Sequence, residues 1–273
     1  MFKFSIRRSL VMVLAVGLFA ASTLLTSANH SWGSYHWARS SNPINLILFD
    51  NVTSAWDQYL AEASADWSSS QVLNTSIAPG SANPKTCKAV SGAIQVCNAR
   101  YGNNGWLGIA SIWASGNHIT QATVKLNDTY FNTARYNTPS WRRFVTCQEV
   151  GHTFGLDHQD ENFTNLNLGS CMDYTNDPSG TAGTNGTANN EHPNSHDYQQ
   201  LSSIYSHTDG AAAAAPTSEP PPAMNDIDID GPGQWGRLVR SSENGLVELY
   251  ELDFGNGHKV ITIVTWTLES RRR

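Results

Sequence analysis

The sequence predicts an α+β fold that ends in a small β-rich module. Two runs of apolar and β-branched residues, at 106–113 and 119–126, flank a Ser-Gly-Asn turn and are typical of neighbouring strands. Apolar side chains recur at helical spacing elsewhere, most clearly between 52 and 67. Near the C-terminus, two Asn-Gly pairs separate three more strand-like runs, which indicates a β meander. Together these elements indicate one mixed domain followed by a smaller piece.

The remaining elements follow in order along the chain. The predicted helix at 52–67 carries a stripe of aromatic residues that is typical of a buried core. Thr138 and Pro139 start a second helix well, because a capping hydroxyl and a proline at the first helical position both suit a helix N-terminus. The other predicted elements are strands at 45–49 and 72–77, a closing helix at 198–205, and C-terminal strands at 237–240, 246–253 and 259–267.

The first residues are typical of an export signal. Three basic residues precede an almost wholly apolar run at 10–25, and Ala28 ends a trio of small residues. A single membrane anchor is the alternative, but the run is shorter than the roughly 20 residues that a transmembrane helix needs. Residues 1–28 therefore predict a signal peptide, a secreted protein, and no membrane association after cleavage.

The composition of the chain, and above all one Ala- and Pro-rich stretch, predicts the domain organisation. Residues 29–209 form the predicted main domain, the Ala- and Pro-rich stretch 210–224 is a linker, and 225–273 form the β-rich module. The net charge of −6 and the absence of a basic patch predict no nucleic-acid partner. We expect a monomer.

Four cysteines in an exported chain suggest two disulfides. Three pairings are possible. We favour Cys87 with Cys97, which closes a local loop, and Cys147 with Cys171.

The segment 147–158 has the spacing of a metal site. Gln148 and His152 are four residues apart, so a helix places them on one face, with Glu149 beside them. Gly155 permits the left-handed turn that ends a helix. The chain can then return His158 towards the same point, which brings three side chains to one place.

This segment resembles the metzincin zinc-peptidase signature, H-E-x-x-H-x-x-G-x-x-H followed by a Met-turn. Here it reads Q-E-x-x-H-x-x-G-x-x-H, and Ser-Cys-Met-Asp-Tyr follows at 170–174, with Met172 at the Met-turn position. The resemblance implies a metzincin-like catalytic domain of the matrixin or astacin kind, with a twisted mixed sheet, an active-site helix, a Met-turn and a closing helix.

The resemblance also implies an activity. One catalytic Zn²⁺ would bind Gln148, His152 and His158, with Glu149 as the general base and Tyr174 steadying the oxyanion. The chain would be a secreted zinc endopeptidase. Its partner would be a protein or peptide substrate in extended form, paired with an edge strand at 108–114.

Gln148 departs from the signature, because a neutral amide oxygen is a weaker zinc donor than imidazole. Three interpretations stay open. The amide oxygen binds zinc; another histidine, such as His118, His192 or His196, takes its place; or the site is degenerate. The last interpretation gives the rival function, a metzincin-like binding protein without a competent metal.

Two further expectations concern the residues around the site. Asp160 could orient His158 by accepting its free ring N–H. The Gly/Asn/Thr-rich loop at 175–194 carries several Asn and Asp side chains that could hold Ca²⁺, although no spacing there matches a defined calcium motif.

Overall fold

The structure is a computed structural model that describes residues 30–210, 219–225, 227 and 229–270. The predicted signal peptide at 1–28 lies outside the described residues. So do 211–218, which make up half of the predicted linker, and the last three residues of the chain.

One mixed sheet dominates the described residues and confirms the predicted α+β class. Its strands run in the order β3-β2-β4-β6-β5-β9-β8-β7, and β1 pairs with β6. The pairs among β1, β2, β3, β4 and β6 are parallel, and the pairs from β6 through β7 are antiparallel. The strands are β1 His36–Trp37, β2 Ile44–Asn51, β3 Leu73–Pro79, β4 Ile94–Ala99, β5 Trp106–Ser115, β6 His118–Asn127, β7 Arg237–Ser241, β8 Val247–Asp253 and β9 His258–Trp266.

Helices α1 and α3 pack against each other and against the sheet. The Trp67 indole at the end of α1 is fully buried and donates a hydrogen bond to the Cys147 carbonyl oxygen in α3, at 3.0 Å. This contact holds the second half of α3 close to the core. The helices are α1 Asp57–Trp67, α2 Asp128–Phe131, α3 Pro139–His152, α4 Ser195–Ile204 and α5 Pro222–Asn225, with 3-10 turns at Pro232–Gln234 and Leu268–Ser270.

The predicted start of α3 is confirmed in detail. The Thr138 side chain accepts a hydrogen bond from the Trp141 amide, and Pro139 is the first helical residue. The first helix was predicted to begin at 52 but begins at Asp57. The chain before it turns tightly instead, with the Trp56 amide bonded to the Thr53 carbonyl oxygen at 2.7 Å.

The three predicted C-terminal strands are present, and they extend the sheet of the main domain. Strand β9 pairs antiparallel with β5 along its length, from Ser115 opposite His258 to Trp106 opposite Trp266. The expectation that residues 108–114 form a free edge for substrate is therefore wrong in this arrangement. The chain's own strand already occupies that edge.

Both favoured disulfides are confirmed: Cys87 bonds Cys97, and Cys147 bonds Cys171. The second bridge joins α3 to the predicted Met-turn. Neither bridge links the C-terminal strands to the rest of the chain. Among the residues that the structure describes, no helix has both the length and the apolar character needed to cross a membrane.

Candidate metal centre

The last turns of α3 carry the predicted site residues into the core. Gln148, Glu149 and His152 are fully buried. Gly155 then takes a positive φ of 92°, and a Cβ there would lie 2.3 Å from the Tyr35 carbonyl oxygen. Only glycine suits that turn and that close approach. The turn brings His158 back to α3, as its spacing predicted.

His152 and His158 meet nitrogen to nitrogen, with their Nε2 atoms 3.1 Å apart. The His152 Nδ1 donates to the Leu156 carbonyl oxygen at 2.9 Å, which places the ring proton on Nδ1 and leaves a lone pair on Nε2. Burial, followed by the neighbouring His158, holds the pKa of His152 well below its usual range, so the ring stays neutral. A neutral imidazole aimed at a second imidazole is a donor arrangement that suits a transition-metal cation.

Acidic side chains face the outer nitrogen of His158. Its Nδ1 lies 3.4 Å from Glu161 Oε1 and 3.7 Å from Asp157 Oδ1. Arg240, from β7, contacts both carboxylates and lies 2.6 Å from Asp157 Oδ1. A carboxylate behind a histidine favours the tautomer whose inner nitrogen binds metal. Asp160, which was predicted for this role, instead accepts hydrogen bonds from the Asn162 amide and the Asn165 side chain.

Gln148 stands one helical turn before His152, and both ends of its amide already have partners. Its Nε2 donates to the Cys171 carbonyl oxygen, and its Oε1 accepts from the Thr265 hydroxyl, each at 3.1 Å. Thr265 belongs to β9, so a C-terminal strand holds the oxygen that the resemblance assigns to metal. Ligation by Gln148 stays a prediction.

Glu149 points towards the sheet, beside β5. Neither carboxyl oxygen has a hydrogen-bond partner among the described residues, and burial raises the pKa of Glu149 to about 8, against a smaller opposing effect of Thr265. A Cβ on Gly108 would lie 2.5 Å from Glu149 Oε1, so glycine at that position leaves the room that this carboxyl occupies.

Met172 and Tyr174 line the site on the other side of the turn. Met172 is fully buried, and its sulfur lies only 2.8 Å from where a Cβ on Gly151 would stand. The Tyr174 ring packs edge-on against His158 with centroids 5.6 Å apart. Its hydroxyl donates to the carbonyl oxygens of Leu246 at 3.0 Å and Trp266 at 3.2 Å, both in the C-terminal segment.

The three histidines considered as replacements for Gln148 have other partners. His118 contacts Asp209, His192 contacts Asp66 at 2.7 Å, and His196 contacts His30 at 3.1 Å. None of these contacts includes His152 or His158.

Two residues near the site were missed by sequence reasoning. Trp32 stacks on the His152 ring with centroids 5.3 Å apart, and Thr265 binds Gln148. Each is more than 100 residues from its partner in the chain, and neither lies in a recognisable motif, so no local signal identifies it.

The described residues include three groups of metal-ligand side chains whose donor atoms lie within 4.8 Å of one another. No residue of the 175–194 loop belongs to any of them, and calcium binding there stays a prediction. The groups are His30, His196 and Asp197; His36, His207 and Asp209; and Asp157, His158 and Glu161.

Comparisons with known proteins add little. No model of a known protein family matches the chain, and a search of curated proteins finds no match. Among solved structures, the chain is similar to that of myroilysin, at 14% identity over 64% of this chain and 83% of that chain, with a TM-score of 0.35. A TM-score at this level carries no argument about activity.

Proposed function

We propose that this chain is an exported zinc-dependent endopeptidase in a closed arrangement, in which its own C-terminal strands cover the site. The observation that carries the proposal is the convergence of the His152 and His158 Nε2 atoms at 3.1 Å, with the Glu149 carboxyl buried on the same helix as His152. Two disulfides in the described residues are consistent with export to an oxidising compartment.

The donor set fits a zinc ion. Two imidazoles meet at their Nε2 atoms, and the spacing of these nitrogens is close to the edge of about 3.3 Å expected for a tetrahedral zinc site. Gln148 Oε1 would be the third donor once Thr265 is withdrawn. Zinc, when bound, supplies the Lewis acidity that activates water and polarises a carbonyl.

The protein residues would then divide the proton transfers between them. Glu149 takes a proton from water and passes it to the leaving amine, as a general base and then a general acid. Tyr174, once released from the Leu246 and Trp266 carbonyl oxygens, donates a hydrogen bond from its hydroxyl to the oxyanion. The outcome is hydrolysis of a peptide bond in an extended chain.

Strand β9 takes the place that an extended substrate would take. A peptide that adds to a sheet edge uses main-chain hydrogen bonds and needs no particular sequence. Strand β9 makes those bonds to β5, the strand that carries Gly108 beside Glu149. Substrate and β9 therefore compete for one edge.

The C-terminal segment also holds three groups of the site directly. Thr265 binds Gln148, the Leu246 and Trp266 carbonyl oxygens hold Tyr174, and Arg240 pairs with Asp157 behind His158. One movement of β7–β9 would release the third donor, the tyrosine and the strand edge together.

The test is to open the chain and measure hydrolysis. A site for a specific protease is placed within 211–218, the folded protein is cut, and mild denaturant followed by dilution releases the C-terminal fragment, as checked by gel filtration. We expect zinc binding and casein cleavage after release, and little cleavage before it.

Glu149→Ala is the matched control, opened in the same way. It should bind zinc and lose hydrolysis by about 10²–10⁴-fold. Retained activity would remove Glu149 from the role of base.

The second candidate is a binding protein with a degenerate metal site. It is favoured by the engagement of both ends of the Gln148 amide in protein hydrogen bonds. Absence of both zinc binding and cleavage in the opened, zinc-supplied chain would establish this candidate and reject the peptidase.

A further inference from the structure

A second group of histidines lies where the N-terminal strand meets the end of the main domain. His36 is in β1, and His207 and Asp209 follow α4. His118 begins β6 and is the register partner of His36 in the parallel β1–β6 pair. The fold thus brings four metal-ligand side chains together from three distant stretches of sequence.

Three donor atoms of this group, from His36, His207 and Asp209, lie as close to one another as the ligands of one metal ion. His36 Nε2 lies 3.2 Å from His207 Nε2 and 3.4 Å from Asp209 Oδ1. Asp209 Oδ1 also lies 3.5 Å from His207 Nε2 and 3.2 Å from His118 Nε2. Zinc with nitrogen and oxygen donors at about 2.0–2.1 Å gives tetrahedral edges of about 3.3 Å.

Hydrogen bonds orient these donors. The His36 Nδ1 donates to the Ser34 carbonyl oxygen at 2.7 Å, which leaves Nε2 directed towards Asp209 Oδ1 and His207 Nε2.

The Asp209 carboxylate is held in place from behind. Its Oδ2 accepts the Arg39 amide at 3.0 Å, and the Asp209 amide donates to the Arg39 carbonyl oxygen at 2.7 Å. The Arg39 guanidinium donates to the His207 carbonyl oxygen at 2.5 Å. The segment 207–209 is therefore pinned beside β1 with Oδ1 left for the histidines.

We propose that His36, His207 and Asp209 form a structural zinc site distinct from the His152–His158 centre, with His118 beside it in contact with Asp209 Oδ1. Imidazole and carboxylate donors in this geometry suit Zn²⁺ among divalent cations. The Asp209 and His36 side chains are nearly buried, while that of His207 is 53% exposed, so a cation can enter from solvent.

The site would act as a cross-link. It joins residue 36 to residues 207–209, directly before the stretch that leads to the C-terminal strands. Metal bound only by the folded state stabilises that state by mass action. The proposal does not depend on peptidase activity, because its donors and its readout are separate from Glu149 and His152.

Metal stoichiometry tests the proposal on the full chain. Zinc per chain is measured by elemental analysis after dialysis for wild type, His207→Gln and Asp209→Asn. Both substitutions should remove one equivalent of zinc and reduce the rise in melting temperature on zinc addition. His207 is exposed, so its replacement leaves the packing intact.

His192→Gln is the matched control, since His192 also pairs with an aspartate but belongs to none of the described metal-ligand groups. It should keep the wild-type stoichiometry. Tetrahedral Co²⁺ absorption, present in wild type and weakened in His207→Gln, gives a second readout. Equal zinc content in wild type and both site variants, or an equal loss in the control, would overturn the inference.

Discussion

At the scale of single residues, the proposed metal centre depends most on Gln148. The His152 Nδ1 donates to the Leu156 carbonyl oxygen, and the His158 Nδ1 lies 3.4 Å from Glu161 Oε1, so the Nε2 atoms of both rings face each other. The amide oxygen of Gln148 is instead held by Thr265. A strand that moves can therefore control whether the third donor is free.

Gln148→His is expected to tighten zinc binding by about tenfold or more, because imidazole is the better donor and metal-site changes commonly alter affinity by about 10–100-fold. Competition with a chromogenic chelator measures the change. The exposed Gln71→His serves as the control for an added histidine. If Gln148→His binds zinc no more tightly than wild type, position 148 does not face the metal.

At the scale of elements, α3 packs closely against residues 170–174, the predicted Met-turn. The Cys147–Cys171 bridge ties the two segments together, and Gly151 lets Met172 and Trp67 approach the helix closely. The helix cannot shift without disturbing Glu149 and His152, which it carries into the core.

Gly151→Ala should lower the free energy of unfolding by about 1–3 kcal/mol, as expected for overpacking a tight core. The new Cβ would lie 2.5 Å from a Trp67 ring carbon and 2.8 Å from the Met172 sulfur. Urea denaturation measures the loss. Gly233→Ala, where a Cβ meets nothing within 4 Å, should change stability little. An unaltered urea midpoint for Gly151→Ala would show that Trp67 and Met172 can move aside for the new Cβ at little cost.

The start of α4 carries a pH-dependent element. Asn194 caps the helix, and Asp197 completes the capping box by accepting from the Asn194 amide at 2.7 Å, while it also accepts from the Ser170 hydroxyl at 2.6 Å. Burial nevertheless raises the pKa of Asp197 to about 6. The folded state therefore holds this proton more tightly than the unfolded state, and stability falls as pH rises from about 4 to about 6.

Asp197→Asn should remove this loss, so the variant gains stability relative to wild type between about pH 4.5 and about pH 7.5, by roughly 2–3 kcal/mol at most. Denaturant unfolding at both pH values, with chelator present, measures the difference. The exposed Asp57→Asn should show no such gain. A difference between variant and wild type that is the same at both pH values would contradict this account.

At the scale of the whole molecule, the proposed switch between a closed and an open arrangement depends on the pairing of β5 with β9. In the closed arrangement the C-terminal strands complete the sheet and bury Trp266 and Ile263. In the open arrangement that we propose, the same edge of β5 receives substrate. The two states cannot coexist on one chain.

A disulfide across this pair should lock the closed state. Ser111 and Thr262 are register partners whose hydroxyl oxygens lie 2.9 Å apart. The double substitution Ser111→Cys and Thr262→Cys should abolish most of the activity gained on cutting within 211–218, whereas Ser111→Cys alone should keep it. Bridge formation is checked by the mass of non-reduced peptides. Full activation of the bridged protein would show that β9 does not block the site.

Local sequence predicts much of this molecule because its signals act over short distances. The helix spacing puts Gln148 and His152 on one face of α3, Gly155 turns the chain back to His158, and Thr138 caps the helix. The three C-terminal strands were also predictable from the residues nearby, whereas the cysteine pairing that we favoured was one of three possible from the sequence.

Only the tertiary structure decided where the C-terminal strands lie and what they do to the site. Strand pairing depends on main-chain hydrogen bonds that carry no side-chain signature, so nothing in the local sequence assigns β9 to β5. The contacts of Thr265 with Gln148 and of His207 with His36 likewise join residues more than 100 positions apart. Such contacts follow from packing of the whole chain, which spacing along one segment does not encode.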